Sequence, residues 1–213
     1  TGQMTYEDDV KKVPVAALSA PDADQLQRAL LKGTVEVNIV LDVISQGEAI
    51  SGNVIAEIPG ETDEIVLIGG HLDSWDLGTG AIDDGAGIGI TVGAAKLILD
   101  LNKTPRRTIR IVMFGSEEVG LIGAKAYAKK YRDRLDKHIV GAESDFGAGK
   151  IWKFDTNFAQ EKLFLAEAMH KVLEPLGIGR GDNNASGGPD IGPLRELGVP
   201  AVTLKQNGWD YFD

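Results

Sequence analysis

The 213 residues carry 32 Asp and Glu against 22 Lys and Arg, a net charge of −10, and no cysteine. Such acidity leaves no cationic footprint to displace phosphate counterions and excludes a nucleic-acid partner; lack of cysteine excludes disulfides, thiolate zinc sites and a cysteine nucleophile, so any transition metal would rest on His and carboxylates. At 43% hydrophobic residues, the length suits one α/β domain with a sizeable core and a small appendage, and no apolar run approaches the ~18 residues of a membrane span.

In chain order, Asp22–Leu31 predicts a short helix. Val35–Val43 and Asn53–Ile58 alternate apolar and polar residues as half-buried strands do. Glu64–Gly70 (EIVLIGG) is a continuous apolar run, as expected of a strand covered on both faces. A Gly-rich loop, Gly78–Gly87, leads into a helix ending near Asp100, followed by a strand at Thr108–Phe114. Leu121–Tyr131 then predicts a helix, Lys137–Ala142 a strand, Phe158–Leu173 an amphipathic helix stopped by Pro175 and Gly177, and Val199–Leu204 a strand. This alternation predicts a mixed, largely parallel central sheet flanked by helices, a three-layer α/β sandwich. Residues 1–45 read as the remnant of a preceding insert or cap, and residues 46–213 as the main domain, with only the turn Ser45-Gln46-Gly47 marking the boundary.

Chemistry gathers at predicted strand ends. His71 and Asp73 follow the buried strand, and their i, i+2 spacing puts both on one side of an extended segment, where Asp73 could fix the imidazole tautomer. Asp83 and Asp84 open a helix beside glycines, Glu117 and Glu118 follow the strand ending at Phe114, and Glu143-Ser144-Asp145 follows the next strand. Each acid pair alone reads equally as a helix cap. Three successive strand ends that all present His or carboxylate fit a convergent metal site better. One imidazole and several carboxylates suit zinc, with manganese and cobalt open.

The phrases GGHLDSWDLGTGAIDDGAG, SEEVGLIGA and ESD resemble, in order and spacing, the co-catalytic zinc exopeptidases of peptidase family M28. Within it, HLDSWD and GGPDIGPLRELGVPA look most like the plasma glutamate carboxypeptidase (carboxypeptidase Q) group. The resemblance covers about residues 53–213 well and implies two zinc ions per complete site. His71 and Asp145 would hold one ion, Glu118 the other, and Asp83 would bridge them through a cis peptide to Asp84. Asp73 would orient His71. Glu117 would be the general base, taking a proton from the attacking water and later delivering one to the leaving amine of a dipeptide or short peptide.

The same resemblance implies a further histidine ligand shortly after the segment Asp210–Asp213, where this sequence stops. The remaining histidines, His138 and His170, read as structural or solvent-facing. The expectation is therefore a fragment with one weakened zinc position and poor hydrolysis by itself. A secreted, periplasmic or lysosomal parent and a homodimer are compatible with the resemblance. The competing readings are a non-catalytic receptor or scaffold domain of the same fold and a single-zinc acyltransferase of the glutaminyl-cyclase type. The loop Asn183–Asp190 reads as an ordinary surface loop, and Trp75 and Trp209 as pocket-lining or core aromatics.

Overall fold

A computed structural model describes residues 9–11, 13–42, 47–209 and 211. The chain divides into two compact units, Thr1–Ala49 and Ile50–Asp213. In the first, Ser19 caps helix α1 (Ala20–Leu30) by accepting from Asp22 N at 3.3 Å, the ordinary fate of a serine before a helix with Pro21 in its first turn. The strand expected at Val35–Val43 does not form: residues 35–42 have no regular structure, and Val43 lies outside the described residues. Alternation supplies a face to bury but no neighbouring strand to bond, and Val37 and Val40 stand exposed.

The second unit is built on a seven-stranded sheet of order β1-β3-β2-β4-β7-β5-β6. Its strands are β1 (Val54–Ile58), β2 (Thr62–His71), β3 (Arg107–Phe114), β4 (His138–Glu143), β5 (Ile151–Asn157), β6 (Gly179–Arg180) and β7 (Ala201–Gln206). The run β3-β2-β4-β7 is parallel, while β1 and β5 join it antiparallel. Helix α2 (Ala86–Asp100) lies on one face, where Ala95 and Ile98 pack with Ile58, Ile68 and Ile111. Helices α3 (Ile122–Lys130) and α5 (Gly192–Arg195) lie on the other, with Tyr127 and Leu194 in a core that includes Leu67, Val112 and Phe114. The mixed three-layer α/β sandwich expected from the alternation is the architecture found. The helix expected from Phe158 starts later, as α4 (Leu163–Leu173), after a 3₁₀ turn at Gln160–Lys162.

Parallel pairing brings chemistry to one edge. His71 is level with Phe114 across β2 and β3, and Gly69 with Glu143 across β2 and β4. The segments after β2, β3 and β4 therefore leave the sheet side by side at its carboxyl edge, where open α/β sheets gather ligands. No helix among the described residues is long and apolar enough to cross a membrane.

Candidate metal centre

His71 ends β2 and is 2% exposed. Its Nδ1 sits 2.8 Å from the backbone carbonyl of Asp73, which can only accept, so Nδ1 carries the hydrogen. That bond turns Nε2 toward Asp83 Oδ1 at 3.0 Å and Asp145 Oδ1 at 3.5 Å. The sequence reading gave the orienting task to the Asp73 carboxylate, whose nearer oxygen lies 3.7 Å from Nδ1. That carboxylate accepts instead from Glu117 N at 2.9 Å and Glu118 N at 3.1 Å. It braces the loop after β3 while its own carbonyl orients the ring.

Asp83 and Asp84 occupy an irregular turn, Ala81–Gly85, and are joined by a cis peptide. Their side chains diverge. Asp84 is 1% exposed and gives one oxygen to His71 N at 2.9 Å and the other to Gly87 N at 3.0 Å, pinning the end of β2 to the start of α2. A Cβ on Gly87 would come within 1.8 Å of Ser144 O and 2.2 Å of Asp84 Oδ1, so the close approach requires glycine there. Asp83 stays half-exposed and presents Oδ1 to His71, while Oδ2 accepts from the Tyr211 hydroxyl at 2.9 Å. Tyr211 stacks on Phe146 at 4.6 Å between ring centroids. Neither Asp84 as a backbone brace nor Tyr211 as a partner of Asp83 is legible in residue types alone.

Electrostatics follow from crowding acids in a partly dry place. Burial pushes the Glu117 carboxyl up to about 7, with Asp145, Glu118 and Asp73 adding to the rise and His71 opposing it. Burial also raises Asp84 to about 7 and lifts Glu118 above its usual range. For His71, burial disfavours the charged form, but the negative charge of Asp145, 3.5 Å from Nε2, with Asp84 and Glu117, outweighs it and raises the pKa to about 10. The ring of carboxylates is a place that holds positive charge.

The donor set fits a transition metal. Ligand atoms of His71, Asp83 and Glu118 lie within 4.8 Å of one another, as do those of His71, Asp84 and Asp145. Glu118 Oε1 and Asp145 Oδ1 are buried without a hydrogen-bond donor, a costly state for a carboxylate unless a cation completes it. Asp84 is tied to two backbone amides that hold β2 against α2, whereas Asp83 meets only the His71 ring and the Tyr211 hydroxyl, so His71, Asp83, Glu118 and Asp145 are the candidate donors. These are nitrogen and oxygen donors of the kind zinc takes.

His138 is 1% exposed and bonded to Tyr127 and Arg134, the structural one of the two roles expected for it. The loop Asn183–Asp190 is held rather than loose: the Asn183 carboxamide bridges Thr156 and Phe158, and Asp190 is fully buried with its amide donating to Glu143 at 2.8 Å. Trp75 and Trp209 are both exposed. Trp209 lines a shallow groove with Lys150 and Trp152.

The model of peptidase family M28 matches residues 53–212, three quarters of the chain. The chain belongs to peptidase family M28. Carboxypeptidase Q of Mus musculus is 32% identical over 215 residues, an alignment that takes in all of this chain and 46% of that protein. A crystal structure of a peptidase M28 precursor from Shewanella amazonensis SB2B is 49% identical with a TM-score of 0.88, again over all of this chain and 49% of the other. An aminopeptidase from Aneurinibacillus sp. strain AM-1 matches at 27% identity and a TM-score of 0.56, over 72% of this chain and 39% of its own. This M28 chain therefore spans about half the length of the relatives that match it throughout.

Proposed function

We propose that the protein carrying this chain is a zinc-dependent exopeptidase that hydrolyses dipeptides or short peptides near a free terminus. His71 and Asp145 would hold one ion and Glu118 the other, with Asp83 serving both. The observation that carries the reading is the orientation of His71, whose Nε2 is turned by the Asp73 carbonyl into a group of carboxylates in which Glu118 Oε1 and Asp145 Oδ1 are buried without a hydrogen-bond donor. When bound, zinc supplies Lewis acidity to a carbonyl oxygen and lowers the pKa of water.

The rest of the chemistry belongs to the side chains. Glu117, raised to about 7, accepts the proton that water sheds as its oxygen attacks the scissile carbonyl carbon, the range in which a general base works best near neutral pH. As the C–N bond breaks, Glu117 returns that proton to the leaving nitrogen. Asp73 keeps Glu117 and Glu118 in register by accepting both of their amides. Asp84 keeps the end of β2 against α2, and so fixes where the imidazole starts.

The test is Glu117→Gln in the zinc-loaded protein: turnover of a dipeptide falls by at least ~10³-fold while zinc content is unchanged. Loss of zinc in that variant would reassign Glu117 as a ligand. A receptor-like domain requires no such base, and a glutaminyl cyclase would convert N-terminal glutaminyl peptides, so the same protein assayed on both substrates separates the three readings. Within these 213 residues Glu118 has no second histidine beside it, because His138 is engaged with Tyr127 and His170 lies on α4 near Phe154. Metal analysis of the 213-residue chain alone is therefore expected to give close to one firmly held zinc and weak hydrolysis.

A further inference from the structure

The segment that carries Glu117 and Glu118 closes on itself. Gly123 N donates to Gly115 O at 2.9 Å, Ile122 N to Ser116 O at 3.0 Å, and Leu121 N to Glu117 O at 2.8 Å. Within it Ser116 has φ 59° and Leu121 φ 58°, left-handed values that residues with a Cβ avoid. Such a backbone persists only where its surroundings hold it.

One side chain from outside the segment reaches both of its ends. Asn53, the residue before β1, accepts from Gly115 N at 3.0 Å through Oδ1 and donates from Nδ2 to Gly123 O at 2.9 Å. A carboxamide offers an acceptor and a donor side by side in this way whatever the pH. The packing is close enough to dictate both glycines. A Cβ on Gly123 would lie 2.2 Å from Asn53 Oδ1, and one on Gly115 would lie 2.6 Å from Gly52 O. Gly123 stands in the first turn of α3, and contact with Asn53 accounts for a residue that otherwise weakens a helix.

We propose that Asn53 is a positioning residue for Glu117. Its carboxamide locks the two ends of the loop, Asp73 locks the crest through Glu117 N and Glu118 N, and together they aim the Glu117 carboxyl into the metal centre. Asn53 touches none of the reacting groups and acts only through the loop; the inference rests on the reading of Glu117 as the general base.

The test uses the zinc-loaded protein and a dipeptide, comparing Asn53→Ala, Asn53→Asp and Glu117→Gln by steady-state kinetics, zinc content and amide hydrogen exchange. Asn53→Ala is expected to lower kcat roughly 10- to 100-fold with KM within about threefold, the scale on which a small misplacement of a reacting group is felt. Asn53→Asp keeps the acceptor for Gly115 N but loses the donor to Gly123 O, so it recovers part of the rate and leaves the Gly115 amide protected, whereas Asn53→Ala exposes that amide. A lowered melting temperature with unchanged kcat in Asn53→Ala, or equal damage from Ala and Asp, overturns the proposal and leaves the base reading intact. Full turnover in Glu117→Gln sinks the base reading itself, and with it the target that Asn53 is argued to aim.

Discussion

Replacing Asp73 with Asn separates two tasks that one residue performs in this fold. The backbone carbonyl of Asp73 orients His71 and survives the change, while the carboxylate that accepts Glu117 N at 2.9 Å and Glu118 N at 3.1 Å does not. Asparagine keeps one acceptor and turns an NH₂ toward the other amide, so one bond to a charged group is lost, worth about 1.5–3 kcal/mol. The Asp73 side chain is 28% exposed, and water can serve part of the freed amide, which brings the cost to about 1–2 kcal/mol. Spent on the aim of Glu117 and Glu118, that is roughly a 5- to 30-fold loss of kcat/KM at ~1.4 kcal/mol per tenfold. The assay is dipeptide hydrolysis by Asp73→Asn at saturating zinc, alongside a competitive zinc titration. A drop in zinc affinity at unchanged kcat would show that the carboxylate works on the imidazole after all, and an unchanged kcat/KM would refute the brace.

Three further outcomes follow from the same geometry. Gly87→Ala places a methyl 1.8 Å from Ser144 O and 2.2 Å from Asp84 Oδ1, so zinc content and melting temperature should both fall, with an overpacking cost of about 1–3 kcal/mol; wild-type values for both would contradict the close packing. Tyr127→Phe strips a partner from His138 Nε2 and from Arg110 Nη1, and should destabilise the protein by about 2–4 kcal/mol, roughly 4–16 °C in Tm, while dipeptide turnover at 25 °C is retained. Burial holds the His138 pKa below its ordinary 6.5, so below that pH the unfolded chain takes up a proton that the folded chain refuses. The stability that neutral His138 contributes is present above pH 6.5 and lost as pH falls toward the folded pKa. Urea unfolding across pH 5–8 should show that slope in the wild type and a flatter one in His138→Gln. The groups facing His138 are Arg110 from β3, Tyr127 from α3, and Tyr131, Arg134 and Asp136 from the turn before β4.

Strand ends were the legible part of this molecule. β2, β3 and β4 carry apolar stretches with His or acids at or just past their ends, and parallel register then brings those residues together. What failed to read was whatever depended on a partner. Residues 35–42 have the alternation of a strand and no regular structure. Ile151–Asn157 is a real strand, unread because Asp155 sits at 5% exposure where an apolar residue is expected, kept there by Asp182 N at 2.9 Å and by Lys153 and Lys205 at 3.5 and 3.7 Å. The Asp73 carboxylate faces the loop after β3 for a related reason: i, i+2 geometry belongs to extended chain, and β2 ends at His71.

Adjacent acids are the sharpest case, since Asp83 and Asp84 are chemically the same residue and do different things. What divides them is the backbone. Asp84 meets two backbone amides and fixes the chain, whereas Asp83 meets an imidazole and a hydroxyl and faces the site. The same criterion applied to Glu143 and Asp190 gives a different answer. Both have carboxyl oxygens without donors, yet they are buried against each other and burial drives both upward in pKa. A buried pair of acids can shed its charge by keeping a proton. Glu118 and Asp145, grouped with His71 and other acids at the open carboxyl edge of the sheet, are set in a ring too acidic for one proton to neutralise, and a dication is the species that ring suits.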